Sequence, residues 1–242
     1  MKTFLFVTVA SASLAFPQQG QDGRRPIDHP LVVPATGTIP VAFVLTDGAV
    51  MIDFSGPWEV FQDVMVPSRG TRMEEQHVFK LYTVSDRKAP VTVSGGMHIV
   101  PDYTFDDAPA PQMVVVPAQA GRSPKMLDWI RKATSHADVV MSVCTGAFTL
   151  AEAGVLNGKP ATTHHSAYTE LQRQFPTILV QHGVRYVQSD PIISTAAGLS
   201  AGIDLALHIV DRYVGREIAQ ATAKNMEYEG QGWKTSKAEG ER

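Results

Sequence analysis

The stretch DVVMSVCTGAFTLAEAG, residues 138–154, decides how this chain folds. Asp138 to Val143 is an apolar run rich in β-branched residues, which is typical of a strand buried on both faces. From Thr145 onward the apolar residues recur at helical spacing. A strand therefore turns into a helix at Cys144, and the small residue Gly146 makes room for a sharp turn.

Cys144 is the only cysteine of the chain. Its place between strand and helix matches a nucleophile elbow, with sulfur in place of a serine hydroxyl. The first N–H groups of the helix are expected to lower the pKa of the thiol and to favour the thiolate. The alternative is an inert buried cysteine that packs as a small hydrophobe.

The 242 residues suit one α/β domain, because short apolar strands alternate with helical patterns. This pattern predicts a mostly parallel sheet with helices on both faces, in which sites lie beyond the carboxyl ends of the strands. Cys144, Asp53 and the loop Pro117–Gly121 all follow predicted strands, so we expect them at one rim. The predicted strands are 40–45, 78–85, 113–116, 138–143, 184–188 and 192–195, with a hairpin at 91–100. The predicted helices are 58–64, 124 onward, 166–175, 201–213 and 217–228.

Asp53 lies among apolar neighbours just before the predicted helix 58–64, which has Pro57 ahead of its first turn. From the residues alone, a capping role and a functional role for this carboxyl group stay equally open.

The adjacent residues His164 and His165 should point in opposite directions along a strand and lack the spacing of two metal ligands. We therefore predict no metal site. One of the two histidines is a candidate base or partner for the cysteine, and a capping or structural role is the alternative.

The chain is predicted to divide into a signal peptide (1–20), a linker (21–38), the α/β domain (39–230) and a disordered tail (231–242). Lys2, the apolar run Phe4–Phe16 and the small residues near Ala15 predict cleavage and therefore a secreted or periplasmic protein. A frayed apolar N-terminus is the alternative. No run is long enough for a membrane span.

The formal charge of −3 arises from 21 basic and 24 acidic residues, and the sequence has no basic stripe. Nucleic acid is therefore not an expected partner. An unpaired thiol in an exported protein would be either well buried or functional.

Four blocks together resemble the ThiJ/PfpI superfamily of glutamine-amidotransferase-like proteins, and within it the isonitrile (isocyanide) hydratase branch. The blocks are IDFSGPWEVF (52–61), VVVPAQAG (114–121), SVCTGAFTLAEAGVLNGKPATTHH (142–165) and GLSAGIDLALHIV (198–210). The resemblance covers about residues 39–230. It implies a flavodoxin-like three-layer sandwich, a homodimer, a small-molecule substrate and no cofactor.

The resemblance also implies roles for individual residues. Cys144 matches the nucleophile, Thr145 the threonine after it, and Asp53 the acidic residue that approaches the sulfur. Relatives usually have Pro-Gly-Gly where this chain has Pro117-Ala118-Gln119, and an aromatic residue where it has His165. The residues expected around the substrate or an oxyanion are Ala118, Gln119, Gly146, His164, His165 and Leu199.

The leading functional hypothesis is an enzyme in which Cys144 attacks a small electrophilic carbon, as in hydration of an isocyanide to a formamide. A second hypothesis is hydrolase or glyoxalase chemistry with a histidine as base. A third is a non-enzymatic redox sensor or ligand-binding protein, in which Cys144 is oxidised reversibly.

Overall fold

A computed structural model describes residues 31–235 of the chain. The strands, in chain order, are β1 Ile39–Val44, β2 Phe79–Ser85, β3 Val91–Thr92, β4 His98–Ile99, β5 Tyr103–Thr104, β6 Met113–Val116, β7 Val139–Val143, β8 Pro160–Ala161, β9 Leu179–Val180, β10 Tyr186–Gln188 and β11 Ile193–Ala196. The helices are α1 Met51–Gln62, α2 Met73–Gln76, α3 Pro124–Thr134, α4 Gly146–Glu152, α5 Tyr168–Gln174, α6 Ala201–Val214 and α7 Arg216–Asn225.

Seven strands form the central sheet in the order β10-β11-β7-β6-β1-β2-β5. All its neighbours pair in parallel except β10, which is antiparallel to β11. The strand pair β3–β4 forms the predicted antiparallel hairpin outside this sheet. The predicted fold class, a flavodoxin-like sandwich with helices on both faces of a mostly parallel sheet, is therefore confirmed.

Each face of the sheet has its own apolar layer, because side chains alternate along every strand. Val41 and Phe43 of β1 pack with α1, α6 and α7, whereas Ala42 and Val44 pack on the opposite face with α3 and α4. All four of these side chains are fully buried. Strands buried on both faces explain why β1, β6 and β7 read as nearly continuous apolar runs.

The carboxyl ends of the four central parallel strands meet at one rim of the sheet. β1 leads to α1 with Asp53, β6 leads to the loop that begins at Pro117, β7 leads to Cys144, and β11 leads to the turn with Leu199. The rim predicted from topology is thus present, and it contains one further segment from β11.

The start of α1 was predicted wrongly. The helix begins at Met51 instead of Trp58, so Pro57 lies inside it. Val50 at the N-cap provides no side-chain cap, and the N–H of Met51 instead donates to Ser94 Oγ at 2.8 Å. The helix start is therefore stabilised by a residue of the β3–β4 hairpin, far away in the sequence. Asp53 consequently lies in the first turn of α1 and is not an N-cap.

Two predicted boundaries also need correction. Residues 31–38, assigned to a linker, contact the domain: the N–H of Leu31 donates to the carbonyl of Arg212, and Arg69 donates to the carbonyl of Pro34. The tail predicted to be disordered from residue 231 is ordered up to residue 235, because Trp233 is buried and its carbonyl accepts a hydrogen bond from the Tyr186 hydroxyl. The buried ring and this hydrogen bond together hold the otherwise polar segment.

None of the helices between residues 31 and 235 is long and apolar enough to cross a membrane.

Candidate active site

Cys144 occupies a strained turn between β7 and α4. Its φ of 58° lies in the left-handed region, which non-glycine residues rarely adopt, and such strain persists only where the surroundings enforce it. Two contacts do so: the Cys144 N–H donates to the carbonyl of Ala197 at 2.9 Å, and the Cys144 carbonyl accepts from the buried Thr163 hydroxyl at 2.9 Å. The predicted elbow is present, with its backbone held on both sides.

Gly146 is required because the elbow packs directly against the end of β6. A Cβ atom at position 146 would lie 2.2 Å from the carbonyl oxygen of Val116 and 2.9 Å from that of Pro117. Backbone atoms cannot move aside as a flexible side chain can. Gly146 therefore allows the elbow to approach the end of β6 closely. A larger residue would not fit at this position.

Asp53 brings a buried carboxyl group to the same rim. Its side chain is fully buried, and Oδ2 accepts a hydrogen bond from the Ala118 N–H at 3.1 Å. The other oxygen, Oδ1, has no hydrogen-bond partner among the described residues. A buried polar atom without a partner is uncommon and is often explained by function.

Burial raises the pKa of Asp53 from 3.8 to about 6. The Ala118 N–H opposes this rise most, followed by the Cys144 thiol and the Leu199 N–H. The Cys144 thiol and the Leu199 N–H face the carboxyl group but form no hydrogen bond of ordinary geometry with it. Oδ1 accordingly has no partner among the described residues. At neutral pH the carboxyl group is mostly ionised but has an unusually high proton affinity.

Burial also raises the pKa of the Cys144 thiol to about 11, and the negative charge of Asp53 is the second cause. The backbone N–H groups of Thr145 and Leu199 oppose the rise but do not cancel it. The expectation of a thiolate near neutral pH is therefore wrong, because the helix terminus is outweighed by desolvation and by a like charge. Cys144 and Asp53 together hold one proton between about pH 6 and pH 11, and it lies on the sulfur.

Leu199 supplies a backbone donor to both reactive groups. Its φ is 52°, so two of the three described non-glycine residues with positive φ lie at this site. The residue is 44% exposed, so its apolar side chain is accessible to solvent. The Leu199 N–H stabilises the charged forms of Asp53 and Cys144, and its predicted role toward substrate or an oxyanion stays a prediction.

Ala118 and Gln119 do not lie as expected for oxyanion donors. The Ala118 N–H is engaged by Asp53, and its φ is not positive, so alanine is tolerated without strain. The side-chain carbonyl of Gln119 accepts the N–H of Thr46 at 2.8 Å, which ties the loop after β6 to the end of β1. Both residues therefore support the site as structural groups. Within the elbow itself, the Thr145 N–H is a donor that lowers the pKa of the Cys144 thiol.

The two histidines do not pair with the thiol. His164 Nδ1 contacts the Ser166 hydroxyl at 2.8 Å. The imidazole ring lies against Gly198, where an added Cβ atom would be 2.2 Å from His164 Cδ2. His165 is exposed, and the two rings lie 4.2 Å apart instead of pointing in opposite directions. Within residues 31–235 no histidine hydrogen-bonds to Cys144 or alters its pKa.

Thr163 is the site residue that sequence reasoning missed. It lies in the sequence block 142–165, where no role is predicted for it, yet its hydroxyl donates a hydrogen bond to the carbonyl of the strained Cys144. A buried polar residue that follows a short strand is a weak signal in the sequence, and nothing there identifies its partner.

No group of three or more histidine, cysteine or carboxylate side chains within the described part of the chain is arranged to hold a metal ion.

The comparisons with known proteins agree with one another on the family. The model of the DJ-1/PfpI family matches residues 40–212. The chain is 34% identical over 193 residues to the isonitrile hydratase of Pseudomonas putida, and the alignment covers 78% of each protein. It is 25% identical over 193 residues to the HTH-type transcriptional regulator GbdR of Pseudomonas aeruginosa, covering 78% of this chain and 50% of the regulator.

Among solved structures, a ThiJ/PfpI family protein from Pseudomonas syringae superimposes with a TM-score of 0.69 at 27% identity, covering 90% of this chain and 84% of that protein. The relatives thus include an enzyme and a transcriptional regulator.

The assignment of a signal peptide to residues 1–20 is corrected. The family match begins at residue 40, those residues lie outside the described range, and the described part of the chain shows no long apolar helix. The assignment has no support in these findings and is withdrawn, whereas the secreted or periplasmic location stays a prediction.

Proposed function

This chain belongs to the DJ-1/PfpI family, and we propose that it is a cysteine-dependent enzyme that hydrates isocyanides to N-substituted formamides. The observation that carries the proposal is the buried pair of Cys144 and Asp53, which holds one proton at neutral pH. The relative from Pseudomonas putida, whose name is isonitrile hydratase, supports the choice of reaction.

In the proposed first step, the Asp53 carboxylate accepts the thiol proton as the sulfur attacks the terminal isocyanide carbon. The same carboxyl group then returns the proton to that carbon, which yields a thioimidate attached to Cys144. The raised pKa of Asp53 suits both transfers, since the group is ionised before the step and holds a proton well during it.

In the second step, water adds to the thioimidate carbon as Asp53 removes one of its protons. Asp53 passes this proton to the nitrogen, and as the C–S bond breaks and the carbonyl forms, the second proton of the water moves through Asp53 to the sulfur and the formamide leaves. The atoms balance: one isocyanide and one water give one formamide, and Cys144 returns to its thiol form. The N–H of Leu199 faces both groups and would stabilise negative charge on either.

The charges of the site favour an uncharged substrate. The pair already bears one negative charge at neutral pH, and no basic side chain in residues 31–235 shifts the pKa of either group. A carboxylate-bearing substrate would therefore meet repulsion without a cation to offset it. An isocyanide is neutral and small, and its substituent can rest on the exposed Leu199 side chain.

The other hypotheses have weaker support. Glyoxalase or hydrolase chemistry with a histidine base needs an imidazole beside the sulfur, and His164 is held by Ser166 instead. A peroxide sensor depends on a readily formed thiolate, whereas the pKa of Cys144 is raised. A homodimer stays a prediction from the family resemblance.

The proposal is tested by incubating the purified protein with an aryl and an alkyl isocyanide and measuring formamide by mass spectrometry. Methylglyoxal and peroxide serve as parallel substrates. Formamide production above the rate of the Cys144→Ala variant supports the hydratase. Lactate formation or a stable gain of two oxygen atoms on Cys144, without formamide, would replace it with the glyoxalase or the sensor.

A further inference from the structure

The turn between β11 and α6 places the Leu199 N–H beside Cys144 and Asp53 and has a strained backbone conformation. Leu199 has a φ of 52°, in the left-handed region that non-glycine residues rarely adopt. Because the conformation persists only if neighbours enforce it, the contacts that fix residues 197–200 control the donor's position.

Arg185, which immediately precedes β10, contacts both ends of this turn. Its carbonyl accepts the N–H of Ala197 at 2.9 Å, and the carbonyl of Ala197 in turn accepts the N–H of Cys144 at 2.9 Å. Its guanidinium donates through Nη2 to Ser200 Oγ at 3.2 Å. The residues before and after Leu199 are thus both held by Arg185, once by its backbone and once by its side chain.

The guanidinium is itself anchored. Its Nε donates to Asp204 Oδ2 at 2.6 Å, and the Asp204 side chain, in the first turn of α6, is only 2% exposed while that of Arg185 is 43% exposed. Ser200 occupies the N-cap of α6 but makes no side-chain cap for the helix. Its hydroxyl accepts from Arg185 instead, so the guanidinium bridges the turn and the first turn of the helix.

The C-terminal segment covers this ion pair. A Cβ at Gly232 would lie 3.0 Å from both Arg185 Cγ and Asp204 Cγ, so the backbone itself packs on the pair. Trp233, the next residue, is buried. The covering segment limits how far the Arg185 side chain can move.

We propose that Arg185 is a positioning residue that acts through the Ala197–Ser200 turn to aim the Leu199 N–H at Cys144 and Asp53. A purely structural ion pair would contribute to stability alone, whereas a positioning residue also changes the titration of the thiol. Its effect on turnover rests on the proposed function, but its effect on the thiol does not.

The test uses two variants that keep most of the ion pair. Arg185→Lys retains the charge but cannot reach Asp204 and Ser200 together, and Ser200→Ala removes only the bond to the turn. The matched control is Arg173→Lys, at an exposed arginine that pairs with Glu170 on α5. For each, the rate of Cys144 alkylation by iodoacetamide is measured from pH 7 to pH 10, together with the melting temperature and the kcat and KM for an isocyanide.

Because the Leu199 N–H lowers the pKa of the thiol, its displacement should move the alkylation profile to higher pH. We expect rates three- to tenfold lower at each pH for Arg185→Lys and Ser200→Ala, a similar loss in kcat with KM little changed, and no effect of Arg173→Lys. An unchanged profile in both test variants would overturn the proposal, even if the melting temperature fell. If Arg185→Lys does not fold, Ser200→Ala decides alone. A wild type without hydratase activity defeats the proposed function but leaves the alkylation result valid.

Discussion

After burial, the carboxylate of Asp53 is the second cause that raises the pKa of the Cys144 thiol, although the two residues come from different strand ends of the sheet. The thiol in turn lowers the pKa of the carboxyl group, so the pair is stable with its single proton on sulfur. In this arrangement the Asp53 carboxylate needs only one short proton transfer to take the thiol proton and leave the sulfur as a nucleophile. It also means that the protein holds Cys144 as the thiol, and not as a reactive thiolate, at neutral pH.

The first prediction concerns the reactivity of Cys144. Since the pKa of its thiol is about 11, alkylation by iodoacetamide should be slow at pH 7 and rise about tenfold per pH unit up to pH 9.5, without a plateau. Replacing Asp53 by Asn removes the like charge and should speed alkylation at pH 8 by about tenfold. Asp128→Asn, at an exposed carboxylate on α3, is the control and should behave as wild type. A plateau below pH 8 in wild type would mean that the thiolate forms near neutrality.

The second prediction links Asp53 to stability. Because its pKa is higher in the folded protein than in an unfolded chain, the ionised carboxyl group destabilises the fold above about pH 6, and this penalty vanishes below about pH 4. Asp53→Asn should therefore be more stable than wild type at pH 7.5, by on the order of 1–3 kcal/mol. The difference should shrink as the pH falls to 4. Urea unfolding at several pH values measures it, and a variant that is less stable than wild type at pH 7.5 would contradict the burial argument.

The third prediction concerns the elbow. Thr163→Val removes the hydroxyl that binds the Cys144 carbonyl and leaves that buried acceptor short of its partner, at a cost of about 1–3 kcal/mol. We also expect a loss of turnover, since the strained backbone of Cys144 is no longer enforced. Thr163→Ser keeps the hydroxyl and is the matched comparison. Equal stability and equal turnover in the two variants would show that this bond does not hold the elbow.

How far the sequence determines the site can be judged from particular residues. The elbow at Cys144 and the rim at the strand ends were predictable, because periodicity locates strands and a parallel sheet places their carboxyl ends together. The start of α1 was not predictable, because its first N–H donates to Ser94 of the β3–β4 hairpin and no local capping residue marks the helix. Pro57 then suggested a helix start, whereas it lies in the helix interior and removes the N–H that would bond to the Asp53 carbonyl.

The ionisation of the site was also beyond the sequence. Its pKa values depend on complete burial of Asp53 and on the desolvation of Cys144, and both arise from tertiary packing at the rim, where α1 lies against α6. The Ala118 N–H donates to Asp53 and is therefore not free for an oxyanion. No sequence motif indicates this contact. The burial of Trp233 and its hydrogen bond from Tyr186 likewise join residues distant in the sequence.

The fourth prediction addresses the histidines. His164→Ala and His165→Ala should each lower turnover of an isocyanide by less than tenfold, and the pH profile of kcat should keep its shape, because neither ring contacts the thiol by a hydrogen bond. Steady-state kinetics between pH 5.5 and 9 measure this. A loss of a hundredfold or more in either variant would assign the base to that histidine and restore the hydrolase or glyoxalase hypothesis.

The central claim is that Asp53 moves the proton while Cys144 forms the bond to carbon, and one comparison tests it most directly. Formamide production from a neutral aryl isocyanide is measured for wild type, Asp53→Asn and Cys144→Ala, with melting temperatures as folding controls. We expect no turnover for Cys144→Ala and a loss of about 10²- to 10⁴-fold for Asp53→Asn despite its faster alkylation at Cys144. Undiminished turnover in Asp53→Asn, or turnover that survives in Cys144→Ala, would contradict the account.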